Sequence, residues 1–288
     1  DASLCDALAR LIGSELIYCR GSPPRATYTF KHALVQDAAY ESLLFSKRRQ
    51  LHARIASVIE LRFPEQAEAD PEILAYHFSE AGAGDRAVPH WLRAAEKASA
   101  GSATVEAVNH LRRGLNALRL LPQTPIRQRQ ELELQLPLAA ALIGLAGAGS
   151  AEVEGTYRRA LELCAQLPES PLHFTALWGW WRISMNFRAG RERADALLAL
   201  AQPLSDPGLL LQAHHCLWAT KYNLGDQVGC LAHVDQGLAL YDAIEHRAQA
   251  SLYGGHDAKV CALGEAAQSL WLLGRPDQAL ARIAEAKA

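Results

Sequence analysis

His32 is the residue best placed to act on a bound ligand. It lies in the stretch 28–44, YTFKHALVQDAAYESLL, directly before an amphipathic helix that follows a short strand. A helix N-terminus favours anions, because its first backbone N–H groups are unpaired and its dipole end is positive. A histidine there can donate a hydrogen bond to a phosphate, and Lys31 can support the same anion. The plainer reading is a histidine bonded within its own helix start, beside a solvated lysine.

Trp178, Trp180 and Trp181 form the second cluster. Trp178 and Trp181 are three apart and share a helix face, with Arg182 and Met185 nearby. Such a face either packs between helices or binds a peptide. Trp180, off that stripe, is the candidate for an exposed partner contact.

Eleven histidines and six cysteines prompt a search for metal ligands. The densest group is His214-His215-Cys216, but neighbours on a helix point about 100° apart and do not converge on one ion. No HExxH and no CxxC pair occurs. Gly254-Gly255-His256-Asp257 reads as a loop with Asp257 capping the next helix. No metal site is expected. Phosphate-loop, GxSxG and GxGxxG motifs are absent, and the acidic residues are scattered, so no catalytic residue is assigned. Lys47-Arg48-Arg49 with Arg54 is basic, but a helix over 3–12 offers only Arg10 to a DNA groove and also carries Asp6. A solvated or partner-facing patch is expected, not nucleic-acid binding.

The elements that position these residues follow from periodicity. A helix is expected over 3–12 with Ser3 at its N-cap, strands at 16–19 and 27–30 around a turn at 21–24, and a helix over 32–45. Ser46 is expected to cap another helix carrying Leu51, Ile55, Val58, Ile59 and Phe63. Beyond it, helices alternate with breaks at 82–84, 101–102, 121–125, 147–150, 168–171, 190, 203–207, 225–226, 253–257 and 274–276.

These breaks hide a repeat. A small lead residue in the turn is followed by residues at plus five, plus nine and plus twelve, the middle one large. Gly82 leads to Ala87, Trp91 and Ala94; Ser102 to Ala107, Leu111 and Gly114; Ala148 to Val153, Tyr157 and Ala160. Gly225 leads to Cys230, Val234 and Gly237, and Gly274 to Ala279, Ile283 and Ala286. Ala189 fits with Ala194, Leu198 and Ala201, although its register is ambiguous. The offsets lie on one helix face, where small residues let the preceding helix approach and the large one fills the gap. Stacked helix pairs of this kind build a solenoid.

Half of the 288 residues are hydrophobic and the net charge is −2, which allows a sizeable core and exerts no global pull on nucleic acid or anionic membrane. The most apolar run, 137–149, is shorter than the roughly 20 residues of a spanning helix. The cysteine spacing suggests no disulfide framework, as for reduced thiols in the cytoplasm. The chain starts without Met and ends within a helical pattern, as a piece of a longer protein would.

The plus-five, plus-nine, plus-twelve pattern resembles tetratricopeptide repeats. YTFKHALVQDAAYESLL followed by SKRRQLHARIASVIE is similar to the end of the nucleotide-binding module of bacterial STAND-type ATPases. HFSEAGAGDRAVPHWLRAAEKAS and SLWLLGRPDQALARIAEA resemble the array of the same family. Those proteins join an AAA-like ATPase core, a winged helix and a tetratricopeptide array, in many cases behind a class III adenylate/guanylate cyclase domain. The resemblance implies an all-α solenoid over 71–288 preceded by a winged-helix remnant over 1–63. It also implies a regulatory, non-enzymatic role for this region: the array binds a protein or ligand, and the winged helix relays this to an upstream core that holds ATP or ADP. Phe30-Lys31-His32-Ala33 is similar to the Met-His-Asp motif of NB-ARC switch proteins, whose His contacts the β-phosphate of ADP; here Lys31 stands for the Met and Ala33 for the Asp. A transcription regulator of similar architecture and a plain scaffold are the alternatives.

Overall fold

The computed structural model describes residues 2–22, 26–167, 171–184, 186–247, 249, 252–253 and 256–287. It is predominantly helical, with a single two-stranded hairpin among the described residues. The chain divides into two compact units, Asp1–Ala87 and Val88–Ala288.

The first unit opens with α1 (Ala2–Gly13), then strands β1 (Ile17–Arg20) and β2 (Thr27–Phe30). The strands pair antiparallel from Ile17↔Phe30 to Arg20↔Thr27. Ser3 lies inside α1 and is not its cap. Pro23 and Pro24 of the expected turn lie outside the described residues. Four helices follow: α2 (Ala33–Glu41), α3 (Phe45–Arg62), α4 (Pro64–Ala69) and α5 (Pro71–Glu80).

The expected helix over 32–45 is therefore two elements. The Ser42 hydroxyl donates to the Ala39 carbonyl at 2.7 Å, and the chain turns extended at Leu44, the residue ahead of α3. Ser46 falls within the first turn of α3 and caps nothing. The buried face of α3 is His52 and Ala56, while Ile55, Val58 and Phe63 are exposed. α4 carries no signal beyond Pro64, a favoured first helical residue. α5 packs on α3, so the compact unit runs past residue 71, where the sequence pattern starts the array.

In the second unit, helices follow one another with short connections. They are α6 (Gly84–Ala100, which begins in the first unit), α7 (Thr104–Leu118), α8 (Pro125–Ala146), α9 (Ala151–Gln166), α10 (Leu172–Arg182) and α11 (Phe187–Ala201). After a 3-10 turn come α12 (Pro207–Asn223), α13 (Gln227–Leu240), α14 (Ala243–His246), α15 (Ala258–Leu272) and α16 (Pro276–Lys287). From α7 to α13, each helix packs on the next, as do α15 and α16. The apolar run 138–146 forms the end of α8; among the described residues no helix is long and apolar enough to cross a membrane.

Most of the triplets are buried as their spacing requires. Ala87, Trp91, Ala94, Ala107, Leu111, Val153, Tyr157, Ala160, Cys230 and Val234 are all below 5% exposed, and Gly114 and Gly237 are buried too. A methyl added to Gly114 would meet Leu134 at 2.9 Å and the Trp91 Cβ at 3.2 Å; one added to Gly237 would meet Trp218 at 2.6 Å. The small residues thus permit the close approach of neighbouring helices. In the last triplet, Ala279 is buried but Ile283 stays 37% exposed, beside Trp271 and Leu280.

The turns repeat as closely as the triplets. Gly82, Ser102, Gly225 and Gly274 all take φ between 59° and 82°. Each ends its helix in the same way. The N–H of Ala83, Ala103, Asp226 or Arg275 reaches the carbonyl five residues back, and that of the left-handed residue reaches three back. This is the Schellman arrangement, which satisfies the last carbonyls of a helix. The lead at Ala148 is displaced by one: Gly147 takes φ 80° instead. Ser102 is exposed and pays steric strain for its left-handed backbone. Ser102→Gly is expected to raise stability by about 0.5–1 kcal/mol, read from the urea midpoint.

Gly190 is not a break. It is buried within α11, which begins only at Phe187, where the Asn186 side chain accepts from the N–H groups of Arg188 and Ala189. The buried residues of α11 are Gly190, Ala194, Leu197 and Ala201, so Leu197 takes the place expected for Leu198. Residues 168–170 and 254–255, within two other expected breaks, lie outside the described residues.

Candidate functional site

His32 stands immediately ahead of α2, with φ −131° and ψ 129°, and its side chain makes no capping hydrogen bond. Its carbonyl accepts from Val35 and Gln36, so the backbone, not the imidazole, starts the helix. The ring is exposed. Lys31 is committed elsewhere: its ammonium pairs with Glu15 at 3.2 Å and lies 5.0 Å from the Tyr18 ring centroid. The hairpin therefore holds Lys31 back, while His32 projects from the helix start.

Deeper in the first unit is a polar group that the sequence pattern does not reveal. Nδ1 of His52 faces Nδ1 of His77 at 2.8 Å, and the Tyr40 hydroxyl lies 3.0 Å from the His52 Nε2. Two ring nitrogens at this distance share one proton, one donating and one accepting. Burial and the neighbouring His52 hold the His77 pKa below the ordinary histidine value. The basic cluster sits around this group. Arg48 lies over Tyr40, and the Arg49 Nε donates to the Ala81 carbonyl at 3.0 Å.

In the second unit the three tryptophans of α10 separate as their spacing predicts. Trp178 is buried, and Trp181, half-buried, donates from its indole N–H to the Thr220 hydroxyl at 2.8 Å. Their rings lie 5.7 Å apart and both meet His215 edge-on. These two are core residues. Trp180 is half-buried on another side, with the Arg193 guanidinium 4.2 Å from its ring centroid. Arg193 also donates to the Trp180 carbonyl at 2.6 Å and to the Ser184 hydroxyl. Trp180, Ile183, Asn186, Arg193 and Glu154 line a hollow of about 250 Å³. Of the three, only Trp180 borders this hollow. Met185 lies outside the described residues.

The strongest constellation is one that the sequence pattern dismisses. His215 of α12, His256 just ahead of α15 and Cys261 of α15 bring one ligand atom each to within 4.8 Å of one another. His215 Nε2 and Cys261 Sγ are 3.6 Å apart, and the two imidazole centroids 5.2 Å. Asp257 holds the local backbone: its carboxylate accepts from the N–H groups of Lys259 and Val260, the cap expected from sequence. His215 stacks on Trp218 at 4.9 Å and is buried. Burial first, then His256 and Arg182, hold its pKa down to about 3, so the ring is neutral and carries a free lone pair. Burial and the nearby Glu265 push the Cys261 thiol up to about 12, although the Trp218 indole acts in the opposite direction. The expected group His214-His215-Cys216 does not converge: His214 turns to His233, with their Nδ1 atoms 3.0 Å apart.

No family model matches this chain. It is 34% identical over 266 residues to an uncharacterized protein of Rhizobium meliloti, an alignment that covers 91% of the chain and 26% of that protein. The chain thus spans about a quarter of the length of the curated relative it matches.

Proposed function

We propose that this chain is the regulatory, partner-binding region of a STAND-type signalling ATPase, with a winged-helix remnant leading into a tetratricopeptide-like superhelical array. The observation that carries this reading is the recurrence of one turn and one packing triplet. At Gly82, Ser102, Gly225 and Gly274 the same Schellman turn recurs, and after the first three it precedes a helix that buries its residues at plus five, nine and twelve. Such arrays expose extended surfaces suited to gripping a partner. The hollow beside Trp180 and Arg193 offers an aromatic face, a cation and a carboxylate for a peptide. On this reading the region works in the cytoplasm.

In the first unit, Leu34, Leu44, Phe45 and Leu61 are each more than two-thirds exposed, an apolar surface suited to packing on an upstream ATPase core. His32, projecting from the start of α2, is the latch: it contacts the phosphate of ADP held by that core and stabilises the resting state. Partner capture by the array shifts the balance toward the open state, and the output is a class III nucleotide cyclase. In the intact protein, His32→Ala is expected to shorten ADP retention and raise basal output. ADP retention and output both matching the wild type would overturn the latch.

A further inference from the structure

We infer that His215, His256 and Cys261 form a binding site for zinc or a closely similar divalent cation, with a fourth coordination position open to solvent. One edge of the group already fits the ion, and all three ligand atoms lie within 4.8 Å of one another. With Zn–N of about 2.0 Å and Zn–S of about 2.3 Å, the N–S edge of a tetrahedral centre is about 3.5 Å. The His215 Nε2 to Cys261 Sγ separation is 3.6 Å. Two imidazoles and a thiolate select zinc over magnesium or calcium, which prefer oxygen donors.

The surroundings are those of a ligand set. His215 Nδ1 lies 3.3 Å from the Gln212 side-chain oxygen, which fixes the proton on Nδ1 and leaves Nε2 as the lone-pair donor. The Trp218 indole N–H is buried on the side of Cys261 and favours its thiolate form. Glu265 lies one turn beyond Cys261 on α15. One of its carboxylate oxygens is buried without a partner, and burial raises its pKa to about 7. On binding, the Cys261 Sγ–H proton is released to solvent and the sulfur lone pair bonds to the ion. His256 is exposed, which gives the ion an entry path. Once bound, the ion ties α12 to α15.

The test uses the whole chain, stripped with a chelator and desalted. Zinc is titrated by calorimetry and cobalt by absorption. The expected result is one equivalent bound, a thiolate-to-cobalt charge-transfer band and a higher melting temperature with zinc. Cys261→Ser removes the band. His256→Ala, at an exposed position, keeps the melting behaviour of the metal-free chain and weakens zinc binding by at least about 10- to 100-fold. A Cys5→Ser/Cys19→Ser variant, lacking the two exposed thiols, keeps both signals. Absence of the band, or a band that survives Cys261→Ser, overturns the site.

Discussion

Trp218→Ala will lower stability by about 3–5 kcal/mol, the range for emptying a fully buried aromatic position. Trp218 is completely buried among Leu211, Cys230, Val234, Ala258 and Ala262, where α12, α13 and α15 meet. Its ring lies under Gly237, whose missing side chain makes room for it. This coupling gives the experiment a second arm. In the native background, Gly237→Ala forces a methyl to 2.6 Å from the indole, and overpacking of this kind costs about 1–3 kcal/mol. In the Trp218→Ala background the methyl enters vacated space and alanine's helix propensity is felt, a gain of up to about 1 kcal/mol. The two substitutions should therefore couple by about 1–4 kcal/mol. Additive effects in urea denaturation would show that Gly237 does not limit the approach of α13 to α12.

Glu131→Leu will cost about 3–5 kcal/mol, because it leaves a buried cation without its carboxylate. Arg127 and Glu131 are each 8% exposed. Glu131 accepts from Arg127 at 3.1 Å and from Arg159 Nε at 2.7 Å, and Arg127 Nε also donates to the Leu118 carbonyl at the end of α7. Arg159, about a third exposed, can turn to water when Glu131 is lost; Arg127 cannot. The control is Arg127→Met with Glu131→Leu, which removes both charges and is expected to recover most of the loss. A cost below about 1 kcal/mol for Glu131→Leu, measured by urea denaturation, would mean that water reaches Arg127.

Periodicity revealed the helices whose buried face is a regular stripe. The triplets at Ala107, Val153 and Cys230 were legible because packing against one preceding helix imposes a fixed spacing. The breaks were legible where the chain needs a left-handed residue, and glycine supplies it at Gly82, Gly225 and Gly274. The reading failed where a break carries no glycine or proline, as at 42–44. It failed again at Gly190, which serves close packing inside a helix. In the first unit the inward face of α3 is built on His52 and Ala56, so apolar spacing pointed to the wrong stripe.

The histidine and cysteine cluster was invisible for a different reason. His215 lies 41 residues from His256 and 46 from Cys261, and only the packing of α12 on α15 brings them together. Reasoning within one helix correctly separated His214 from His215 but could not see across to the neighbouring helix. The one local clue was Asp257, which fixes the start of α15 and with it the positions of His256 and Cys261.

The order of packing in the second unit also sets its mechanics. From α7 to α13 each helix leans on the next in sequence, and the buried clusters follow one another along the chain. Tension applied to the two ends is carried through these interfaces in series, like load through the links of a chain. The weakest interface then sets the strength of the whole, and one helix can peel away while its distant neighbours stay folded.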